Sequence, residues 1–312
     1  MIKNGQLLDE VFKLYKSRRD YTESKAYDVR EKLLNDSEYS NVYYAIKNLN
    51  MDIAKANFDG DLKTANTLEK QRIKLIEQKN QILKSLGVSE NDLTPRYNCP
   101  ICGDSGYLQK GGVCACFYKT LQEVANDILG IQQPILPTFD NYKCNTERDK
   151  KLKQKLIDYC EKFPPETLKN LIFTGSTGTG KTFSAGAIAS KLIQNNKCVI
   201  YLSATKLNDI FRIYHIMDES NKRAIFDLLC ESDLLVIDDL GTEPLYKNVS
   251  VVYFTSIISE RLANARPFII TTNLSLEEIG TRYNDRLLSR LSDKSTAIIN
   301  FSGSDKRRKK TD

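Results

Sequence analysis

Apolar residues in the first 90 positions recur at the three- and four-residue spacing of a helix face. The first such set is Val42, Ile46, Leu49, Ile53 and Ala56. Turn-forming residues interrupt the pattern at positions 59–61, and a second set at seven-residue spacing is Leu68, Leu75 and Ile82. We therefore predict an antiparallel helical hairpin, preceded by a helical stretch around residues 5–35. Its stripes are expected to form a core, with a partner-binding face as the alternative because so small a module buries little surface.

The pattern changes beyond about residue 151, where short apolar runs alternate with helical stretches. The candidate strands are Leu171–Thr174, Cys198–Ser203, Leu234–Asp238, Phe268–Thr272 and Ala297–Phe301. Alternation of this kind predicts an α/β fold in which helices cover both faces of a five-stranded parallel sheet.

Composition adds limits to this picture. The 312 residues allow two domains. The net charge is +6, and half of it lies in the last eight residues, so a general polyanion-binding protein is not indicated. No run approaches the roughly 18 apolar residues of a membrane span, and the N-terminus lacks a signal-peptide core. We expect a cytoplasmic protein that does not contact membranes.

Residues 175–182 read GSTGTGKT and match the phosphate-binding pattern G-x4-G-K-[ST]. The strand NLIFT precedes them and a helical stretch follows, which argues against a chance Gly/Ser/Thr loop. Glycines let backbone N–H groups point at phosphate oxygens, and the helix N-terminus adds a positive dipole. The predicted ATP-binding residues are Gly175, Ser176, Thr177, Gly178, Thr179, Gly180, Lys181 and Thr182. Lys181 is expected to reach the β and γ phosphates, and the Thr182 hydroxyl to ligate Mg²⁺.

The strand LLVIDD ends in two carboxylates. We expect Asp238 to bind the nucleotide's Mg²⁺ and Asp239 to orient and deprotonate the attacking water, with an acidic helix cap as the alternative. Most related ATPases have glutamate at the second position, so Glu243 is a possible helper and slow, partner-regulated ATP hydrolysis is a hypothesis.

Two further elements complete the predicted ATPase site. Asn273 ends an apolar strand, where its amide is placed to hold the attacking water. Arg282, Arg286 and Arg290 are four residues apart on one helix face. Such arginines are more often solvated or salt-bridged, but in this motif order Arg290 is predicted to reach the γ-phosphate of a neighbouring subunit.

Four of the eight cysteines form the pattern C-x2-C…C-x-C and are Cys99, Cys102, Cys114 and Cys116. Four thiolates suit structural Zn²⁺, while an iron–sulfur cluster and free thiols are alternatives. The other four cysteines are expected to be reduced thiols, and the lone His215 an ordinary surface or interface residue.

With these motifs in order, residues 95–305 resemble the DnaC/DnaI family of bacterial replicative helicase loaders, AAA+ ATPases related to IstB and DnaA. The resemblance rests on TFDNY, GSTGTGKT, LLVIDDLGTE, FIITTN, RLLSRL and the knuckle YNCPICGDSGY…CAC. It implies an N-terminal domain that engages the hexameric replicative helicase, delivery of that helicase onto single-stranded DNA, and self-association through the ATPase domain. Asn273 then corresponds to sensor 1, Arg290 to the trans-acting arginine finger and Arg307 to sensor 2.

The family's DNA-binding region corresponds to about residues 205–230. The candidate contacts are Lys206, Phe211, Arg212, Tyr214, Lys222 and Arg223. Interleaved aromatic and basic side chains can stack bases and pair with phosphates, although Phe211 and Tyr214 at a spacing of three fit a core equally well.

The resulting hypothesis is an ATP-dependent loader of the replicative DNA helicase onto single-stranded DNA in replication initiation or restart. An IstB-like transposition helper acting on double-stranded DNA is the alternative, and a metal-stabilised DNA-binding adaptor is a third. The expected division is a helical helicase-interaction domain at 1–90, a zinc knuckle at 91–117, a linker helix and nucleotide-entry segment at 118–150, and the ATPase domain at 151–312.

Overall fold

The computed structural model describes residues 5–132, 135–144, 146–216, 219–246 and 248–303. None of the helices within these ranges is long and apolar enough to cross a membrane. The chain divides into two compact units, of which one is Phe12–Cys114 and the other combines Met1–Val11 with Ala115–Asp312. The four-part division expected from the sequence stays a prediction.

Three long helices and a short 3-10 helix account for the N-terminal region. They are α1 (Gly5–Leu34), α2 (Ser37–Phe58), α3 (Leu62–Ser85) and the 3-10 helix Glu90–Leu93. Aspartates begin two of the helices, since Asp36 accepts a hydrogen bond from the backbone N–H of Tyr39 at 2.8 Å and Asp61 from that of Thr64 at 3.0 Å. The apolar stripes of α2 and α3 meet in a small core, so the predicted helical hairpin is present.

The second unit is an α/β structure. Its helices are α4 (Ala115–Ile128), α5 (Glu147–Glu161), α6 (Lys181–Gln194), α7 (Ala204–Ile216), α8 (Glu219–Glu231), α9 (Ser250–Ala263), α10 (Leu276–Arg282) and α11 (Asp285–Leu291). Its strands are β1 (Asn170–Thr174), β2 (Val199–Ser203), β3 (Leu234–Leu240), β4 (Phe268–Thr272) and β5 (Thr296–Asn300). A further 3-10 helix covers Phe139–Asn141.

The five strands form one sheet in the order β2-β3-β4-β1-β5, and every neighbouring pair is parallel. The predicted α/β class and the five-stranded parallel sheet are therefore confirmed. Because all strands run the same way, their carboxyl ends meet at a single edge. The loop after β1 thus starts near the middle of that edge, close to the ends of β3 and β4.

The outer side of β2, at one lateral edge of the sheet, is hydrogen-bonded to a side chain instead of a strand. Gln122 of α4 donates from Nε2 to the Val199 carbonyl oxygen at 2.7 Å and accepts from the Val199 N–H at 2.8 Å. These two hydrogen bonds copy what the backbone of a neighbouring strand would make, so β2 presents fewer unpaired groups at its edge. The opposite edge is β5, where Ile298 is 43% exposed.

Candidate nucleotide-binding site and cysteine cluster

A cavity of about 1110 Å³ opens at the carboxyl edge of the sheet. It brings together eight of the residues predicted for nucleotide or Mg²⁺ binding and catalysis, with aromatic residues on its other side. Those eight are Thr177, Gly178, Gly180, Lys181, Thr182, Asp238, Asp239 and Asn273. Residues more than 90 positions apart in the chain therefore share one site.

The loop between β1 and α6 needs glycine at its first position. Gly175 has φ +130°, a conformation that side chains rarely adopt, and a Cβ there would lie 2.1 Å from the Phe301 carbonyl oxygen. Gly180, at the N-cap of α6, also has a positive φ of 102°. The loop is pinned from within by Thr179, whose hydroxyl donates to the Ser176 carbonyl oxygen at 2.8 Å.

The side chain of Lys181 crosses the mouth of this loop. Its Nζ donates to the carbonyl oxygens of Gly175 at 2.6 Å and Ser176 at 2.8 Å. It also donates to Oδ1 of Asn273 at 2.8 Å, which joins the loop to the end of β4. The ammonium group is thus held between the carbonyl oxygens of the loop and the end of β4.

Asp238 is held by hydroxyl groups from three different elements. Its Oδ1 accepts from Thr182 at 3.0 Å and from Thr271 at 2.6 Å. Tyr201 of β2 also hydrogen-bonds to it; burial, and then the Asp238 charge, raise the pKa of Tyr201, so its hydroxyl stays protonated and donates. A carboxylate beside a threonine hydroxyl is the hard oxygen donor set that Mg²⁺ prefers, so these residues fit the ion.

Asp239 occupies a left-handed backbone conformation, with φ 59°. Its N–H donates to Oγ1 of Thr271 at 2.8 Å, and its Oδ1 accepts from Nδ2 of Asn273 at 3.3 Å. Aspartate and asparagine are several-fold enriched in this conformation compared with other side chains. The left-handed backbone at this position therefore gives aspartate a conformational reason.

Glu243 has other partners and does not line the cavity. Its side chain is buried, Oε2 accepts from the Gly241 N–H at 3.0 Å, and Oε1 accepts from the Tyr283 hydroxyl. Its carboxylate is therefore engaged in shaping the turn after β3, and the helper role considered from the sequence gains no support from its position.

An aromatic wall on the other side of the cavity was missed by the residue-by-residue prediction. Tyr142 and Phe183 pack edge to face with ring centroids 5.5 Å apart, and the Tyr142 hydroxyl lies 2.9 Å from Oγ of Ser184. Pro137 packs against α6 so closely that a Cβ on Gly186 would lie 2.7 Å from its Cδ. The available signal was the segment TFDNY, which contains Tyr142.

The four predicted metal ligands also come together. The Sγ atoms of Cys99, Cys102, Cys114 and Cys116 all lie within 4.8 Å of one another. Asp104 shapes the first turn, since its carboxylate accepts from the N–H groups of Asn98 at 2.8 Å and Cys99 at 2.7 Å. Soft thiol donors in a closed group of four suit a tetrahedral metal ion such as Zn²⁺.

The candidate arginines lie away from this cavity. The prediction that the three share one helix face is wrong, because Arg282 ends α10 whereas Arg286 and Arg290 lie on α11. Arg286 and Arg290 are exposed, and Arg282 donates to the Glu243 carbonyl oxygen. Within the part of the chain that the structure describes, none of them lines the cavity. Arg307 lies outside the described residues.

The candidate DNA contacts divide into buried and exposed residues. Phe211 is only 4% exposed, and its ring packs 5.8 Å from that of Tyr253, so the structure places it in the core and leaves no ring surface for base stacking. Tyr214 packs on the same ring at 4.9 Å. Arg212 is exposed and lies 5.9 Å over the Tyr246 ring.

The other basic candidates are Lys206 and Lys222, which are half-buried, and Arg223, which is exposed and lies 3.7 Å from Asp227. His215 contacts the Tyr253 hydroxyl at 2.9 Å through Nδ1. These residues lie on helices α7 and α8.

Residues 132–311 match the model of the family described as IstB-like ATP binding protein. Replicative helicase loader DnaC of Escherichia coli (strain K12) is 28% identical over 156 residues, covering 49% of this chain and 62% of DnaC. Uncharacterized protein YdaV of the same organism is 28% identical over 171 residues, covering 53% of this chain and 65% of YdaV. The chain thus spans less than two thirds of the length of either relative.

Solved structures are similar to slightly more than half of the chain. A crystal structure of the DnaC helicase loader is 26% identical with a TM-score of 0.47, and covers 53% of this chain and 96% of that one. A crystal structure of DnaI is 20% identical with a TM-score of 0.43, and covers 58% of this chain and 93% of that one.

Proposed function

The chain belongs to the family of IstB-like ATP-binding proteins, and from this premise we propose that it is an ATP-dependent loader of the replicative DNA helicase. It delivers the hexameric helicase onto single-stranded DNA during initiation or restart of replication, in the cytoplasm. The observation that carries the proposal is the convergence of Lys181, Thr182, Asp238 and Asn273 on one cavity. The similarity to DnaC supports helicase loading as the use made of that site.

Each residue of the site has a task in ATP hydrolysis. The loop at 175–182 binds the phosphates through backbone N–H groups and Lys181. Thr182 and Asp238 hold Mg²⁺, which when bound neutralises charge on the phosphate oxygens. Asn273 orients the attacking water, and Asp239 takes its proton. Turnover is slow because Asp239 is short and the arginine that stabilises the developing charge comes from elsewhere.

That arginine is Arg290, acting on the nucleotide of a neighbouring copy. Its exposure on α11 and its absence from the lining of its own cavity support a role in trans. Copies of the chain therefore self-associate through the ATPase domain, and the site is complete only in the assembly. Arg307 in the basic tail contacts the nucleotide as a sensor in this proposal.

The remaining regions provide contacts with other molecules. The helical region, 1–90 in the proposed division, binds the helicase. Zn²⁺ held by the four cysteines stabilises the knuckle, which has little core of its own. Single-stranded DNA binds along α7 and α8 through Lys206, Arg212, Lys222 and Arg223, with Tyr214 beside them. Phe211 is left out because its ring is buried.

A second candidate function is an IstB-like transposition helper that uses the same ATPase site on double-stranded DNA. The observation in its favour is the description of the family model that matches residues 132–311. The cysteine cluster and the helical hairpin favour the loader.

The first test measures nucleotide binding to the full chain. Lys181→Ala is expected to abolish ATP binding, because it removes the ammonium group that meets the phosphates. Lys191→Ala is the matched control, since Lys191 is on the same helix, is half-buried and does not line the cavity. Unchanged binding by Lys181→Ala would exclude the assigned nucleotide site.

The second test separates the two candidate functions. Purified chain is mixed with the purified replicative helicase of the same organism, with and without ATP, and its affinity for single- and double-stranded DNA of equal length is measured. The loader predicts a complex with the helicase and ATP-dependent preference for single strands. No complex in either condition, together with a preference for duplex, would favour the transposition helper.

A further inference from the structure

Strands β3 and β4, which carry the site residues, shift in register by one residue at the cavity. Ile237 of β3 pairs with Ile270 of β4, but the next pair is Leu240 with Thr272. Asp238 and Asp239 therefore both stand opposite a single residue, Thr271. This arrangement is a β-bulge, and bulges commonly re-aim side chains next to functional sites.

The bulge has a direct consequence for the two carboxylates. Successive residues of a regular strand point to opposite faces of the sheet, so two adjacent aspartates would not line the same cavity. Here Asp238 and Asp239 both do. The left-handed backbone of Asp239, with φ 59°, is the local change that turns the second side chain toward the first.

The Thr271 side chain occupies the gap that the bulge creates. Its hydroxyl donates to Oδ1 of Asp238 at 2.6 Å and accepts the N–H of Asp239 at 2.8 Å. Thr271 is 1% exposed, and its backbone pairs with Phe173 of β1, so its hydroxyl has little freedom to turn away. One buried group thus fixes the carboxylate of one aspartate and the backbone of the next.

We propose that Thr271 is the positioning residue of this site, which sets Asp238 for Mg²⁺ and holds Asp239 in its left-handed conformation. The inference rests on the proposed function of the cavity as an ATP site, and it assigns Thr271 a role that GSTGTGKT and LLVIDD do not reveal. Thr271 does not touch the nucleotide; it acts through the two aspartates. Removing its hydroxyl weakens the contribution of Mg²⁺ to ATP binding while leaving the phosphate loop intact.

The test is the equilibrium affinity of the full chain for a fluorescent ATP analogue, measured in excess Mg²⁺ and in EDTA. The dissociation constant in EDTA divided by that in excess Mg²⁺ reports how much Mg²⁺ contributes to ATP binding. Thr271→Val keeps the shape and β-branching of the residue but removes the hydroxyl, and is expected to lower this ratio by about tenfold or more, as for loss of a hydrogen bond to a charged group. Thr271→Ser restores the hydroxyl and should keep the ratio within about threefold of the wild type.

Thr272→Val is the matched control. Thr272 is equally buried and its hydroxyl also donates once, to the Leu240 carbonyl oxygen at 2.7 Å, and accepts once, from the Leu274 N–H at 3.0 Å. It touches neither aspartate, so this variant should keep the wild-type ratio.

Five outcomes decide between these possibilities. The proposal is overturned if Thr271→Val keeps the wild-type ratio, if Thr272→Val loses as much, or if Thr271→Val loses binding equally in EDTA. If the wild-type chain binds no nucleotide in either condition, both the proposed function and this inference are overturned. Loss of the Mg²⁺ contribution confined to Thr271→Val, with recovery in Thr271→Ser, supports it.

Discussion

Replacing Gly175 by alanine tests whether the phosphate loop depends on its contact with the chain after β5. Two costs are expected. The backbone at φ +130° disfavours any side chain by about 1–3 kcal/mol. In addition, the new Cβ would lie 2.1 Å from the Phe301 carbonyl oxygen, so the loop and the end of β5 must separate by roughly 1 Å or more to reach ordinary contact.

The matched control is Gly303→Ala. Gly303 has nearly the same backbone, φ +134°, but a Cβ there meets nothing within 4 Å among the residues that the structure describes. It therefore shares the conformational cost, whereas the overpacking cost of about 1–3 kcal/mol applies only to Gly175→Ala. For a unit of this size each kcal/mol lowers the melting temperature by about 2–4 °C. Gly175→Ala should melt several degrees below Gly303→Ala.

Calorimetry of the full chain provides the melting temperatures, and titration with a fluorescent ATP analogue provides the affinities. Gly175→Ala is expected to lose nucleotide binding because the separation disturbs the backbone N–H groups of the loop, whereas Gly303→Ala should bind as the wild type does. Equal melting temperatures and equal affinities in the two variants would show that the contact with Phe301 does not shape the loop.

Two other predictions concern stability. Gln122→Leu leaves the Val199 N–H and carbonyl without partners and should lower the free energy of unfolding by about 2–6 kcal/mol. The exposed control Gln154→Leu should change the free energy of unfolding by about 0.5 kcal/mol or less. Equal urea midpoints in the two variants would contradict this prediction. Burial raises the pKa of the Cys160, Cys198 and Cys230 thiols from 9.0 to about 12, so the folded state keeps protons that the unfolded chain releases. The stabilisation is full below about pH 9 and is lost as pH rises toward 12; the melting temperature should fall over this window, less steeply in Cys198→Ala than in Cys144→Ala.

The sequence was sufficient for those parts of the fold that follow from periodicity and local motifs. Strands β1 to β5 and the helical hairpin were predicted because each shows its own apolar spacing and its own turn residues. The phosphate loop was predicted because its glycines and Lys181 are contiguous. Spacing also placed Asp238 and Asn273 at strand ends, which a parallel sheet brings to one edge.

The rest depends on pairings that no local pattern encodes. Thr271 lies opposite both aspartates because the register between β3 and β4 shifts by one residue. Tyr201 reaches Asp238 from a third strand. Gln122 pairs with Val199 across 77 positions of the chain. The helical spacing of Phe211 and Tyr214 fitted both a core and a DNA surface, and only the packing on Tyr253 places Phe211 inside.

The hydrogen bonds between the Gln122 amide and β2 also limit how copies of this chain can join. Since Gln122 already occupies the backbone of Val199 on the outer side of β2, the more open edge for a continuous sheet between copies is β5. Two identical edge strands pair about a twofold axis, and such an interface joins only two copies. A ring or spiral with more members must therefore grow through head-to-tail contacts between different surfaces, which is the geometry that would carry an arginine of one copy to the nucleotide of the next.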